Sequence, residues 1–96
     1  MYRVLVVDDE KIEREGIKFL LSREEGEFKI SEASNGRQAL EILRNEEIDI
    51  LLTDIKMPHM DGLELAKKAK EELQNISLKG KNGGGMIDVL CIDLSQ

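Results

Sequence analysis

Short runs of consecutive apolar residues dominate the hydrophobic pattern of the first part of the chain. Residues 3–7 and 48–53 are nearly continuous apolar stretches, which is typical of strands covered on both faces. Residues 28–33 alternate weakly between apolar and polar side chains, and this pattern predicts a strand at the edge of a sheet. The sequence therefore predicts three strands before residue 55.

Segments with a helical period lie between and after these strands. From about Lys11 the apolar residues recur on one helical face, and Gly26 is the predicted stop of this helix. Asn35 is the predicted N-cap of the second helix, with Gln38 in the capping-box position. A loop over residues 55–62 leads into a third helix with an apolar face formed by Leu65, Ala66, Ala69 and Leu73. Strands that alternate with helices through short connections predict an α/β fold, with a parallel sheet and helices on both faces.

The pattern changes near the end of the chain. Residues 78–85 are rich in glycine and predict a linker-like turn. Residues 88–94 predict one more strand, and no helix follows it. We therefore interpret the 96 residues as a single domain with a regular part over residues 1–75 and an atypical tail over residues 76–96.

Composition narrows the classes of function. The chain has 14 Lys and Arg against 20 Asp and Glu, so it lacks the basic surplus that general nucleic-acid binding needs. No apolar run approaches the roughly 20 residues that cross a bilayer, and the first residues do not form a signal-peptide pattern. We expect a cytoplasmic protein without membrane association or direct nucleic-acid binding. The single cysteine, Cys91, excludes an internal disulfide and has the apolar neighbours of a small buried side chain.

Acidic residues stand where two of the predicted buried strands end. Asp8 and Asp9 follow the first strand, and Asp54 follows the third. Because sites in open parallel sheets form beyond the carboxyl ends of the strands, these three carboxylates would meet in one crevice. A shared proton or a bound cation would relieve their repulsion, and oxygen ligands suit Mg²⁺. The alternative is that Asp8 or Asp9 only caps the first helix.

Three segments resemble the receiver domain of two-component response regulators. They are residues 4–10, 33–40 and 49–62, which occur in the order and at the spacing of that family. The last segment resembles the phosphoacceptor strand and its loop almost residue for residue. The resemblance covers residues 1–75 and implies a flavodoxin-like three-layer sandwich, incomplete here, with about four strands and three helices.

The resemblance also implies roles for individual residues. Asp54 would accept the phosphoryl group, Asp8, Asp9 and Asp54 would hold Mg²⁺, and the backbone carbonyl of Lys56 would be a further ligand. The donor would be a phosphohistidine on a sensor histidine kinase. The output would be a DNA-binding domain outside this chain, as in helix-turn-helix transcription regulators. His59 is expected to be an exposed loop residue rather than a metal ligand, because the chain has no second histidine.

The end of the chain departs from the receiver pattern. If residues 88–94 are the fourth strand of the family, Ser95 is the hydroxyl residue that takes part in switching. The other interpretation is that residues after about Ile76 are unrelated to the family. The family's fifth-strand lysine has no counterpart, because Lys79 and Lys81 lie in the glycine-rich segment. The chain is therefore expected to be a shortened or altered receiver, or to complete its sheet with a second copy as a homodimer.

Three functions remain to be weighed. The leading one is a signalling module, rather than an enzyme, that accepts a phosphoryl group on Asp54 with Mg²⁺. The alternative is a receiver-like module that binds other proteins without being phosphorylated. A phosphohydrolase with an aspartate nucleophile is disfavoured, because Lys56 stands where such enzymes have a second carboxylate.

Overall fold

Helices and strands alternate along the chain. A computed structural model describes residues 2–24, 27–78 and 87–93, and for residues 73–78 it describes the backbone only. The elements are β1 Tyr2–Val7, α1 Lys11–Ser22, β2 Phe28–Ala33, α2 Gly36–Asn45, β3 Ile50–Asp54, α3 Gly62–Leu78 and β4 Asp88–Ile92. This order confirms the predicted α/β fold with four strands and three helices. The predictions for Gly26, for most of the glycine-rich segment and for Ser95 lie outside the described residues.

The four strands form one parallel sheet in the order β2-β1-β3-β4. Val7 of β1 lies opposite Ala33 of β2 and Thr53 of β3, so β1 is an inner strand. Asp54 of β3 lies opposite Ile92 of β4. The edge position predicted for β2 is confirmed, and β4 is a fourth strand of the same sheet.

Successive residues of β1 pack on opposite faces of the sheet. Val4 and Val6 form a smaller core under α1, with Leu52, Ile17 and Leu21. The intervening residues of β1 belong to the larger core, which α2 and α3 cover and whose most buried members include Leu5, Val7, Ala39, Leu51 and Leu65. Helices on both faces therefore explain why the apolar run of β1 is continuous.

Side-chain caps determine where two of the helices begin. At α2, the backbone N–H of Gln38 donates to Asn35 Oδ1 at 2.8 Å, as the sequence predicted. The Gln38 side chain accepts from the backbone N–H of Ser34 at 2.8 Å, so the return bond reaches one residue before the N-cap. At α3, Asp61 Oδ1 accepts from the backbone N–H of Glu64 at 2.8 Å. These caps place the loops that precede both helices at the carboxyl ends of β2 and β3.

The outer strand β4 carries apolar side chains that solvent reaches. Leu90 and Ile92 are 54% and 36% exposed, whereas Val89 packs against the larger core on the other face. β4 therefore presents an apolar surface on one face of the sheet. Among the helices of the described ranges, none is long and apolar enough to cross a membrane.

Candidate functional site

Three carboxylates meet at the carboxyl ends of the two inner strands. Asp8 directly follows β1, Asp54 is the last residue of β3, and Glu13 lies in the first turn of α1. One ligand atom from each lies within 4.8 Å of those of the other two. Asp8 and Asp54 are almost fully buried, at 0% and 4% exposure, and Glu13 is half-buried. The structure thus brings together two of the predicted site residues and adds a third that the sequence reasoning missed.

The Asp8 carboxylate has one oxygen that its surroundings do not satisfy. Its Oδ1 accepts a hydrogen bond from the backbone N–H of Glu10 at 2.9 Å. Its Oδ2 is buried and receives no hydrogen bond from the donor groups of the described residues. The Glu13 carboxyl lies within hydrogen-bonding reach of Asp8, but two ionised carboxylates have no proton to donate. This contact therefore requires either a shared proton or a cation between the two groups.

Burial and mutual repulsion change the acidity of the cluster. Burial raises the pKa of Asp8, and the nearby charges of Asp54 and Asp9 raise this pKa further, against the hydrogen bonds from Glu10 and Glu13. The hydrogen bond with Asp8 is the main reason why the pKa of Glu13 is raised to about 7. At an effective dielectric constant of about 20, two unit charges 4.8 Å apart repel by about 3.5 kcal/mol. A divalent cation with oxygen ligands would neutralise this charge, so the donor set fits Mg²⁺.

Two other predicted ligands lie near the cluster but outside it. Asp9 is exposed, and its carboxylate does not belong to the group of three. Lys56 is exposed in the loop after β3. The ligand roles of Asp9 and of the Lys56 carbonyl stay predictions. The N-cap of α1 is Glu10, which makes no side-chain capping bond, so neither Asp8 nor Asp9 occupies the capping position.

The loop after β3 is held close to the backbone of Asp54. The backbone N–H of Gly62 donates to the Ile55 carbonyl at 2.8 Å. A Cβ atom on Gly62 would overlap the Asp54 carbonyl oxygen and lie 3.0 Å from its carbonyl carbon. Gly62 is therefore required by this close approach of two backbone segments. The expectation that His59 is an exposed loop residue is confirmed, and His59 has a left-handed backbone with φ of 70°.

Ion pairs fix the first turns of α1 against the sheet. Arg14 Nη1 donates to the Asp8 carbonyl at 2.7 Å, and Arg14 Nε donates to Glu32 at 3.1 Å. Lys18 donates to the other carboxylate oxygen of Glu32 at 2.7 Å. Both bonds lower the pKa of Glu32, and the bond from Lys18 has the larger effect. They also hold Glu13, which precedes Arg14, above the end of β1.

Comparison with known proteins places this site in a family. The family profile described as "Response regulator receiver domain" matches residues 4–78. The chain is 36% identical over 91 residues to Sporulation initiation phosphotransferase F of Bacillus subtilis, and covers 69% of that protein. It is 43% identical over 72 residues to Transcriptional regulatory protein YdfI of the same organism. That match covers 75% of this chain and only 34% of YdfI, so the chain spans about a third of that relative.

Solved structures share the fold over nearly the whole chain. The response regulator TrrA from Thermotoga maritima, in complex with Mg²⁺-BeF, has a TM-score of 0.73 at 27% identity. The match covers 99% of this chain and 90% of that one. A complex of histidine kinase ThkA with TrrA has a TM-score of 0.78 at 29% identity, covering 100% of this chain and 72% of that one. With the profile match and the shared fold, the chain belongs to the response regulator receiver domain family, whose members are signalling modules rather than catalytic enzymes.

Proposed function

We propose that this chain accepts a phosphoryl group on Asp54 in a Mg²⁺-dependent reaction. The observation that carries the proposal is the position of the Asp54 carboxylate, which is buried at the end of β3 within 4.8 Å of two further carboxylates. Asp8, Asp9 and Asp54 would hold Mg²⁺, together with the backbone carbonyl of Lys56. The unsatisfied Oδ2 of Asp8 supports this assignment, because a cation would give this buried oxygen a partner.

The proposed reaction is an attack by one carboxylate oxygen of Asp54 on phosphorus. A bond forms between this oxygen and phosphorus while the bond from phosphorus to the donor nitrogen breaks, and the imidazole of the donor leaves. Positioning and charge neutralisation govern such transfers, because the nucleophile and the phosphoryl group are both anionic. Mg²⁺ bound here would neutralise part of that charge. The register of β1 and β3 and the burial of Asp54 supply the positioning.

The donor we propose is a phosphohistidine on a sensor histidine kinase. The solved complex of ThkA with TrrA supports a partner of this class. The similarity to YdfI, a transcriptional regulatory protein, supports a role in transcription regulation. A DNA-binding output domain outside this chain and a cytoplasmic location are further parts of the proposal. The switch role of Ser95 remains part of this proposal and lies outside the described residues. Homodimer formation is the accompanying proposal, and the exposed apolar side chains of Leu90 and Ile92 support it.

The proposal is tested by the mass of the chain after incubation with acetyl phosphate and Mg²⁺. We expect an added mass of one phosphoryl group in the native chain and none in Asp54→Asn. Asp61→Asn is the matched control, since it removes a carboxylate from the next loop and asparagine caps α3 equally well. This control should be phosphorylated like the native chain. No mass addition to the native chain would instead support the second candidate, a receiver-like module that only binds proteins.

A further inference from the structure

Glu13 belongs to the acidic pocket, although its position in the sequence does not predict this. It lies five residues after Asp8, in the first turn of α1, yet its carboxylate is within 4.8 Å of ligand atoms of Asp8 and Asp54. Asp9 directly follows Asp8, is exposed and does not belong to this group of three. The first turn of α1 therefore adds an acidic group to the pocket beside Asp8 and Asp54.

The position of Glu13 is fixed by the bonds of the residue that follows it. The Arg14 side chain is only 15% exposed. It donates to the Asp8 carbonyl at 2.7 Å and to the Glu32 carboxylate at 3.1 Å. Lys18, one helical turn later, bonds the same glutamate at 2.7 Å. These contacts tie α1 to β2 and to the end of β1, and so fix the face of the helix from which Glu13 reaches the pocket.

A second observation indicates that the pocket is built for a cation. The buried Oδ2 of Asp8 lies in the cluster without a hydrogen bond from the described residues. A third ionised carboxylate beside such an oxygen adds repulsion, and of the two ways to relieve it, a shared proton or a cation, only a cation also gives the Asp8 and Asp54 oxygens a common partner. We infer that Glu13 is a direct ligand of the divalent cation at this site, beside Asp8 and Asp54, an inference that rests on the proposed function.

A carboxylate supplied by α1 changes how the site holds its cation. Affinity for hard cations rises with the number of charged oxygen ligands. The chain should therefore bind the cation before any phosphoryl group is present to add oxygens. Replacing Glu13 by Gln keeps the shape of the side chain and removes its charge, and we expect cation binding to weaken by at least about tenfold.

The experiment is a Mn²⁺ titration of the whole unphosphorylated chain, followed by the electron paramagnetic resonance signal of the free ion. Glu13→Gln is compared with Glu15→Gln, which removes the same charge from the same helix at a position that pairs with Lys18 instead. We expect a higher dissociation constant for Mn²⁺ only in Glu13→Gln. Melting temperatures in EDTA show whether each variant is folded. Glu13→Gln should melt at or above the temperature of the native chain, because it loses a charge that repels Asp8 and Asp54.

The possible results separate the inference from the proposed function. Unchanged Mn²⁺ affinity in Glu13→Gln, with binding lost in Asp54→Asn, overturns the ligand role of Glu13 alone. Absence of saturable Mn²⁺ binding in the native chain overturns the proposed cation site and this inference with it. If Glu13→Gln does not fold, Glu13→Asp is measured instead. The shorter side chain would no longer reach the cation, so this variant must also bind Mn²⁺ more weakly than the native chain, and unchanged affinity would overturn the inference.

Discussion

The same change, glycine to alanine, should have opposite effects at two helical positions. At Gly62, the first residue of α3, an added Cβ would overlap the Asp54 carbonyl oxygen and lie 3.0 Å from both the Asp54 carbonyl carbon and Ile55 Cα. At Gly16, inside α1, no atom other than those of the adjacent residues and of the helix's own backbone would lie within 4 Å of the added Cβ. The comparison therefore isolates the close approach of the loop to the backbone of Asp54.

The expected magnitudes follow from helix propensity and packing. In a helix interior, alanine is more favourable than glycine by about 0.5–1 kcal/mol, so Gly16→Ala should stabilise the chain by that amount. At Gly62 the obstructing atoms belong to the backbone and cannot rotate away. Overpacking of this kind costs about 1–3 kcal/mol, which outweighs the gain in propensity. The two variants should differ by about 2 kcal/mol or more, or at least about 8 °C in melting temperature.

Urea unfolding followed by circular dichroism measures this difference directly. The slope of the transition should be the same for both variants, so that the midpoints report stability. Since the clash also displaces the backbone of Asp54, Gly62→Ala should take up phosphoryl groups more slowly, and Gly16→Ala should not. Equal stability of the two variants, or a stabilised Gly62→Ala, would refute the close approach of the loop.

Three further predictions concern a cap, an ion pair and the thiol. Asn35→Ala should lose about 1 kcal/mol of unfolding free energy in urea, while Asn35→Ser keeps the native value; equal losses would contradict the capping bond. Lys18 and Arg14 lower the pKa of Glu32 below 4.5. The stability that these ion pairs add to the folded chain is therefore fully present above pH 4.5 and is lost as the pH falls through the lowered pKa. The stability difference between the native chain and Glu32→Gln should therefore shrink in acid, and a constant difference would refute the pairing. Burial raises the pKa of Cys91, so its thiol should react with Ellman's reagent more slowly in the folded chain than in urea, and equal rates would contradict this burial.

Local patterns were sufficient to predict the elements of the fold. The apolar run that became β1 is continuous because helices cover both faces of the sheet, and the weak alternation of β2 reflects its edge position. Asn35 was predicted as a cap because its side chain bonds a backbone group only three residues away. Such features depend on neighbours along the chain, and a sequence lists those neighbours directly.

The site was predicted only in part, because its members come from three elements. The sequence indicated Asp8 and Asp54, since both stand at ends of apolar runs, and parallel strands bring such ends together. It did not indicate Glu13, because the orientation of α1 depends on Arg14 and on its bond to Glu32, a residue 18 positions further on.

What the sequence by itself determined is the order of strands and helices and the acidic ends of two inner strands. What only the tertiary structure decided is which carboxylates share a pocket and why Gly62 must lack a side chain. The physical reason is range. Periodicity and capping act over a few residues, whereas repulsion between carboxylates and backbone contact at Gly62 depend on distances in space that strand register and helix orientation fix.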